Sequence, residues 1–168
     1  HLEDKLSEII GEGFDLAIRI AELKDSGLVA RKLGEIEHIT VASGTYLKHH
    51  DVPKHPKDLS DHKCLIYTYR STPRQWIYFD RQGEELSVNV KGVFETNNSL
   101  AIRECLLNGL GVALIPEFVV HEDLEAGRLE AILKDYRGFT RNLYAVIPDR
   151  KHINAKTKAF IEFIKEKG

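Results

Sequence analysis

The 168-residue chain has no run of eighteen or more apolar residues, so no segment has the length to span a bilayer as a helix. Its amino terminus, HLEDKLSEII, lacks both the basic and the apolar region of a signal peptide, and a cytoplasmic location is expected. An excess of one charge is missing too. Twenty-four Lys and Arg stand against 26 Asp and Glu along the whole length, which leaves no electrostatic footprint for a nucleic-acid backbone. Cysteine is scarce: Cys64 and Cys105 each sit among apolar neighbours, which favours buried free thiols in a reducing compartment over a disulfide framework. No internal repeat, low-complexity tract or long flexible linker divides the chain.

Chemical motifs are equally sparse. No pair among His49, His50, His55, His62 and Cys64 falls on a C-x-x-C or H-E-x-x-H pattern, and the intervening Pro and Lys read as a solvated loop. No metal is expected. The glycines of GLG, Gly109 and Gly111, follow a helix, whereas phosphate-binding glycines precede one, so no nucleotide cofactor is expected either. No G-x-S-x-G elbow occurs, Ser43 lacks an assignable base, and Cys105 shares a helix face with Ala101 and Ile102, the posture of an inert thiol. The expectation is a protein that is not an enzyme.

What is present is a composition of 42% hydrophobic and 30% charged residues, enough for one domain or two small lobes with a real core. Residues 2–13 show helical spacing, with Leu6, Ile9 and Ile10 ahead of Gly11 and Gly13. FDLAIRI, LVARKLG and EIEHITVAS read as extended segments, with a short helix near Gly44. CLIYTY is a short buried strand, and QWIYFD and ELSVNV form a hairpin turned by Gly83. A helix over 99–108, a strand over 112–115 and a helix over 117–126 follow, the last started by Pro116 and ended by Gly127. NLYAVI is a late strand, and residues 154–167 place Ala155, Ala159, Phe160, Phe163 and Ile164 on one face of a final helix. Strands alternating with helices predict α/β architecture with largely parallel sheets.

Thr96, Asn97, Asn98 and Ser99 stand where a strand hands over to a helix, the edge at which open α/β sheets bind ligands. Capping explains one such residue, because a single Asn or Ser side chain satisfies a first-turn amide. Four polar residues exceed one cap, and the helix start attracts a carboxylate; capping and ligand contact both stay open. The same strand-end rule adds Tyr69 and Arg70 after CLIYTY. Trp76, Tyr78 and Phe79, with Tyr67, read as core or sheet-face packing, with stacking on a ring-shaped ligand as the alternative.

Three stretches, EGFDLAIRIAELKDSGLVARKLGEIEHITVASGTYL, NNSLAIRECLLNGLGVALIPEFVVHEDLEAGRL and LYAVIPDRKHINAKTKAFIEFIKEKG, together resemble the effector-binding domain of LysR-type bacterial transcriptional regulators. The resemblance covers essentially the whole chain and implies a type II periplasmic-binding-protein-like fold, two Rossmann-like α/β lobes joined by two crossing strands. Residues 1–41 with 147–168 would form lobe I, lacking its first strand and helix, and 42–146 lobe II. It further implies a small molecule held between the lobes, with Arg19, Ile20, Ala21, Ser43, Gly44, Thr96, Asn97 and Asn98 near it; the polar helix start beside Arg70 makes an anionic metabolite the expected effector. DNA would be reached only through a winged helix-turn-helix absent from this chain. A homodimer or tetramer is implied, with residues 2–11 and the helix over 117–126, where Val119 and Val120 adjoin, as the pairing surfaces. The alternatives are a transport-type solute-binding protein of the same fold and an α/β enzyme.

Overall fold

The computed structural model describes residues 16–20, 29–147 and 155–167. The helix expected over 2–13 lies outside them, as does Ala21. The chain divides into two compact units, one formed by Glu37–Phe139 and the other by the flanking Lys5–Ile36 and Thr140–Gly168. It passes from one to the other twice, at 36/37 within a strand and at 139/140.

In the flanking unit, β1 (Ala17–Ile20) pairs antiparallel with β10 (Thr140–Ile147), so that Arg19 lies opposite Tyr144 and Ile20 opposite Leu143. The closing helix, α4 (Ala155–Lys167), packs through Ile161 against Ala145 and Ile147. Of the face expected to be buried, only Ile164 is partly covered. Thr157 and Ile161 are buried, whereas Ala155, Ala159, Phe160 and Phe163 are exposed. Apolar residues cover two sides of this helix, so helical periodicity alone could not select the packed one.

The long strand β2 (Val29–Ser43) carries the chain into the Glu37–Phe139 unit. There it lies antiparallel to β7 (Val112–Pro116) and β8 (Leu129–Ile132), with His38 opposite Pro116 and Ala42 opposite Val112. Strand β3 (Cys64–Tyr67) lies parallel to β7 and to β6 (Gly92–Thr96). Among the described strand pairs only those of β3 are parallel. The expected largely parallel sheet is therefore mixed, because β2 arrives running against β7. A separate antiparallel sheet joins β4 (Gln75–Phe79), β5 (Glu85–Asn89) and the two-residue β9 (Arg137–Gly138). The β4–β5 hairpin forms as expected, with Gly83 at φ +83° in its turn. Strands β8 and β9 were not anticipated, being short and lacking alternation.

Period-two geometry sorts the core of this unit into two layers. Val41, Leu65, Ala113 and Ile115 face α2 (Ser99–Leu107) and α3 (Glu117–Glu125), meeting Ile102, Leu106 and Val120. Their neighbours Ala42, Cys64, Ile66, Val112 and Leu114 face the other way, toward Trp76, Tyr78 and Val88 of the hairpin. Both faces of β3 and β7 are thus covered, which is why CLIY and VALI read as continuous apolar runs. Each fully buried Leu or Ile among them stabilises by about 1.5–3 kcal/mol.

One buried charge fixes helix against helix. The Asp123 carboxylate on α3, with no exposed side-chain surface, receives Arg103 of α2 at 2.5 and 2.9 Å and Arg128 at 2.7 Å. Burial opposes its ionisation, but the two guanidiniums outweigh it and hold the carboxyl below its ordinary range. Of the thiols, Cys64 is buried and pushed up to about 12 by desolvation, whereas Cys105 is only half-buried at the margin of the helical layer; both are free. Among the described residues, no helix is long and apolar enough to cross a membrane.

Candidate functional site

The parallel strands β3 and β6 end side by side. The Thr68 amide donates to the Thr96 carbonyl at 2.8 Å, so the chain leaving β3 toward Tyr69 and Arg70 starts beside the chain leaving β6 toward Asn97 and Asn98. Strand β7 ends at the same edge, and His38 of β2 lies opposite its last residue, Pro116. Four strands therefore deliver side chains to one rim of the Glu37–Phe139 unit.

Asn98 is the N-cap of α2: its Oδ1 accepts from the Ala101 amide at 3.0 Å, while its own amide donates to Thr96 Oγ1 at 3.2 Å. The side chain is buried, and the Asn98 carbonyl accepts from Ile102 at 3.3 Å. Thr96 and Asn98 thus brace the turn from both sides, and α2 starts with its amides at the rim. Asn97 is half-buried between them. Capping is the observed task of Asn98; it leaves the dipole of a nine-residue helix directed at the same rim.

Arg70 is held by an aromatic ring. Its guanidinium carbon lies 4.0 Å from the centroid of Phe139, and His38 stacks on Phe139 at 3.9 Å with 27° between the rings. Two groups that near one centroid must take opposite faces, so Phe139 separates His38 from Arg70. The cation–π contact is worth about 0.5–2 kcal/mol. The His38 amide donates to the Phe139 carbonyl at 3.2 Å, and a Cβ on Gly138 would stand 2.2 Å from the His38 carbonyl oxygen, so only glycine allows this approach. Below, Thr40 Oγ1 and Tyr78 Oη lie 2.9 Å apart, and burial keeps the Tyr78 hydroxyl protonated. Tyr69 is 45% exposed on the outside of the same loop.

Ser43 and Gly44 are not part of this gathering. β2 runs antiparallel to β7, so its last residues lie at the opposite edge, where Ala42 faces Val112 and Leu129 pairs with Ser43. Ser43 is a buried cap of the short helix α1 (Gly44–Leu47), accepting from the Tyr46 amide at 3.3 Å. A Cβ on Gly109, at the far end of α2, would lie 3.6 Å from Ser43 Oγ. The family resemblance groups Ser43 and Gly44 with Thr96–Asn98, but the fifteen-residue β2 ends at the opposite edge of the sheet. The residues that β2 does bring to the rim are those near His38. Alternation puts His38, Thr40 and Ala42 on one face of β2, a signal that could have nominated His38; Phe139 lay in a stretch with no periodicity. Arg19 and Ile20 lie in β1 of the flanking unit.

The histidine-rich stretch has structural uses. His55 caps the 3₁₀ helix Pro56–Asp61, accepting from the Lys57 amide at 3.1 Å, and His62 faces the Tyr46 hydroxyl at 3.1 Å. Among the described residues, no group of three or more His, Cys, Asp or Glu side chains is arranged to hold a metal.

The LysR substrate binding domain family matches this chain over residues 1–168. The chain belongs to that family. The HTH-type transcriptional regulator PtxR of Pseudomonas aeruginosa is 35% identical over 164 residues, covering 98% of this chain and 52% of that protein. The HTH-type transcriptional regulator DmlR of Escherichia coli is 32% identical over 166 residues, covering 98% and 53%. This LysR-family chain thus spans about half the length of these curated relatives. Among solved structures, the full-length virulence activator AphB of Vibrio cholerae superposes with a TM-score of 0.80 at 28% identity, covering 99% of this chain and 56% of that one. The regulatory domain of CrgA from Neisseria meningitidis also gives 0.80, at 30% identity, covering 94% and 77%. The type II periplasmic-binding-protein-like architecture expected from the LysR resemblance is thereby established.

Proposed function

We propose that this chain is the effector-sensing domain of a LysR-type transcriptional regulator, and that its effector is a small anionic metabolite held at the rim where β3, β6 and β7 end. The observation that carries this reading is the convergence of Arg70, set on Phe139, with the Thr96–Asn98 turn and the start of α2 on one sheet edge. A carboxylate suits both a guanidinium and a helix amino terminus. Tyr69 and Asn97 complete the proposed contacts. Arg19, Ile20 and Ala21 carry over from the family resemblance alone. Binding would regulate only through unequal affinity for two conformations. No chemical step or cofactor is assigned.

In the whole protein, DNA would be contacted through a helix-turn-helix domain outside this chain, in the cytoplasm, by a homodimer or tetramer. Edge strands support self-association: among the described strand pairs, β1 pairs only with β10 in the flanking unit and β6 only with β3 in the other, with Ile18, Ile20, Val93 and Phe94 exposed. On α3, Val120 is spent on the core and Val119 is half-buried, so Phe118, 58% exposed, is the outward residue. Light scattering that found a monomer at high concentration would contradict this.

Asn98→Asp tests the site. Aspartate caps as well as asparagine and complements the dipole, but it repels an anion. A panel of small carboxylates screened by thermal shift is expected to contain at least one that raises the melting temperature of the wild type. That shift should collapse in Asn98→Asp and in Arg70→Ala, while ligand-free Asn98→Asp melts like the wild type. A shift undiminished in both variants would remove the ligand from this rim.

A further inference from the structure

At the edge of the Glu37–Phe139 unit opposite the proposed effector rim, three side chains outside that site share a hydrogen-bonding arrangement that depends on one proton. The Lys63 amide donates to Tyr46 Oη at 3.1 Å, and the same oxygen lies 3.1 Å from His62 Nδ1. His50 packs on the Tyr46 ring at 4.1 Å between centroids and stands 6.3 Å from His62. The donor inventory fixes the roles. An amide can only donate, so Tyr46 Oη accepts from Lys63, and its single proton is available for Nδ1. The Tyr46–His62 bond therefore wants Nδ1 bare and the imidazole proton on Nε2. A second proton on His62 would turn Nδ1 into a donor. The oxygen would then face two donors, and the hydroxyl proton would lose its acceptor at a residue only 3% exposed, a costly loss for a buried group.

We propose that Tyr46, His50 and His62 form an acid-sensitive latch between α1 and the segment leading into β3, closed by neutral His62 and opened when His62 is protonated. The surrounding groups set its range. Burial, then His50, disfavour a charged His62; Asp58 and Asp61 from the 3₁₀ helix and Asp51 from the loop after α1 favour it, and the balance lies below the ordinary histidine value. Asp58 is itself occupied by the Lys54 and His55 amides, both at 2.9 Å. Cys64, from β3, keeps its proton throughout, at about 12, with its thiol directed at the Leu59 and His62 carbonyls. Burial likewise raises the Tyr46 hydroxyl, so it retains the proton the latch uses. Unfolded His62 takes up a proton near pH ~6.5, folded His62 at a lower pH. The contribution of the latch is thus fully present above about pH 6.5 and is lost as pH falls toward the folded value.

The test is imidazole nitrogen NMR on the whole chain from pH 8 to 5, with thermal melts alongside. The expected result is the Nε2-protonated tautomer at neutral pH, a His62 midpoint below ~6.5, and a higher midpoint in Tyr46→Phe. His62→Asn keeps an oxygen for the Tyr46 hydroxyl but cannot titrate, so its melting temperature should fall less between pH 7 and 5 than that of the wild type. A proton on Nδ1 at neutral pH, a midpoint at or above ~6.5, or a His62→Asn profile superimposable on the wild type would overturn the proposal. The wild-type titration decides alone if the Asn variant does not fold.

Discussion

Two residues of the Glu37–Phe139 unit do the same local chemistry at opposite edges of one sheet. Ser43 caps α1 and Asn98 caps α2, each through a side-chain oxygen accepting an amide three residues on. Around Ser43 stand a four-residue helix and the close approach of Gly109. At the edge of Asn98 stand a nine-residue helix, the ends of three strands and, on the side of β2, the Arg70–Phe139–His38 stack. A cap does not make a ligand site. What distinguishes the second edge is the convergence of strand ends and a positioned cation, and strand direction alone decides which residues share it.

Helix α2 runs from one edge to the other, so the largest effect is expected from releasing it. Asp123→Ala would leave Arg103 and Arg128 without their buried carboxylate and should destabilise by about 3–5 kcal/mol, measured by denaturant unfolding. The folded carboxyl sits below its unfolded value, so this contribution is present above about pH 4 and is lost as pH falls through the folded value. If the proposed rim depends on where α2 is held, carboxylate binding should weaken together with stability. Binding that survives in folded Asp123→Ala would show that the rim is held by β3 and β6 alone.

The next effect pits one edge against the other directly. A Cβ on Gly111 would stand 2.1 Å from the Lys63 carbonyl oxygen, and one on Gly138 2.2 Å from that of His38. Both neighbours are backbone, so Gly111→Ala and Gly138→Ala should each cost about 1–3 kcal/mol or more through forced shifts. Their stability losses should be similar. Ligand affinity should fall only for Gly138→Ala, since Gly111 lies at the edge of Ser43 and Lys63. Equal losses of affinity would erase the distinction between the edges.

The elements most legible in the sequence were those whose burial leaves one unambiguous pattern, whether a helical stripe, a continuous apolar run or a turn glycine. The α2 helix, the runs CLIY and VALI and the hairpin around Gly83 were readable because both faces of β3 and β7 are covered and the hairpin turn needs positive φ. Helix α4 was readable as a helix but not in its packed face, because Phe160 and Phe163 are as apolar as Ile161. Part of the rim was legible: Thr96, Asn97, Asn98, Tyr69 and Arg70 stand on one sheet edge because the parallel strands β3 and β6 end side by side. His38 and Phe139 were not, because their proximity comes from β2 and the stretch after β9 meeting across some hundred residues of chain, which no local pattern encodes. Ser43 and Gly44 stand at the other edge because β2 runs antiparallel to β7, a direction that no local pattern encodes either.

The smallest effect separates the two caps. Asn98→Ala removes one bond to the Ala101 amide and should cost about 1 kcal/mol, while Ser43→Ala, at a longer 3.3 Å contact on a helix of one turn, should cost about 0.5 kcal/mol. In a thermal melt the two would differ little. Carboxylate binding should separate them fully: Ser43→Ala retains the ligand-induced shift, whereas Asn98→Ala loses part of it because the turn through Thr96 relaxes and the α2 amides are no longer held at the rim. A Ser43→Ala variant with weakened binding would mean that the two edges communicate through α2. A Gly109→Ala variant, strained at φ +70° beside Ser43, would then have to weaken binding as well.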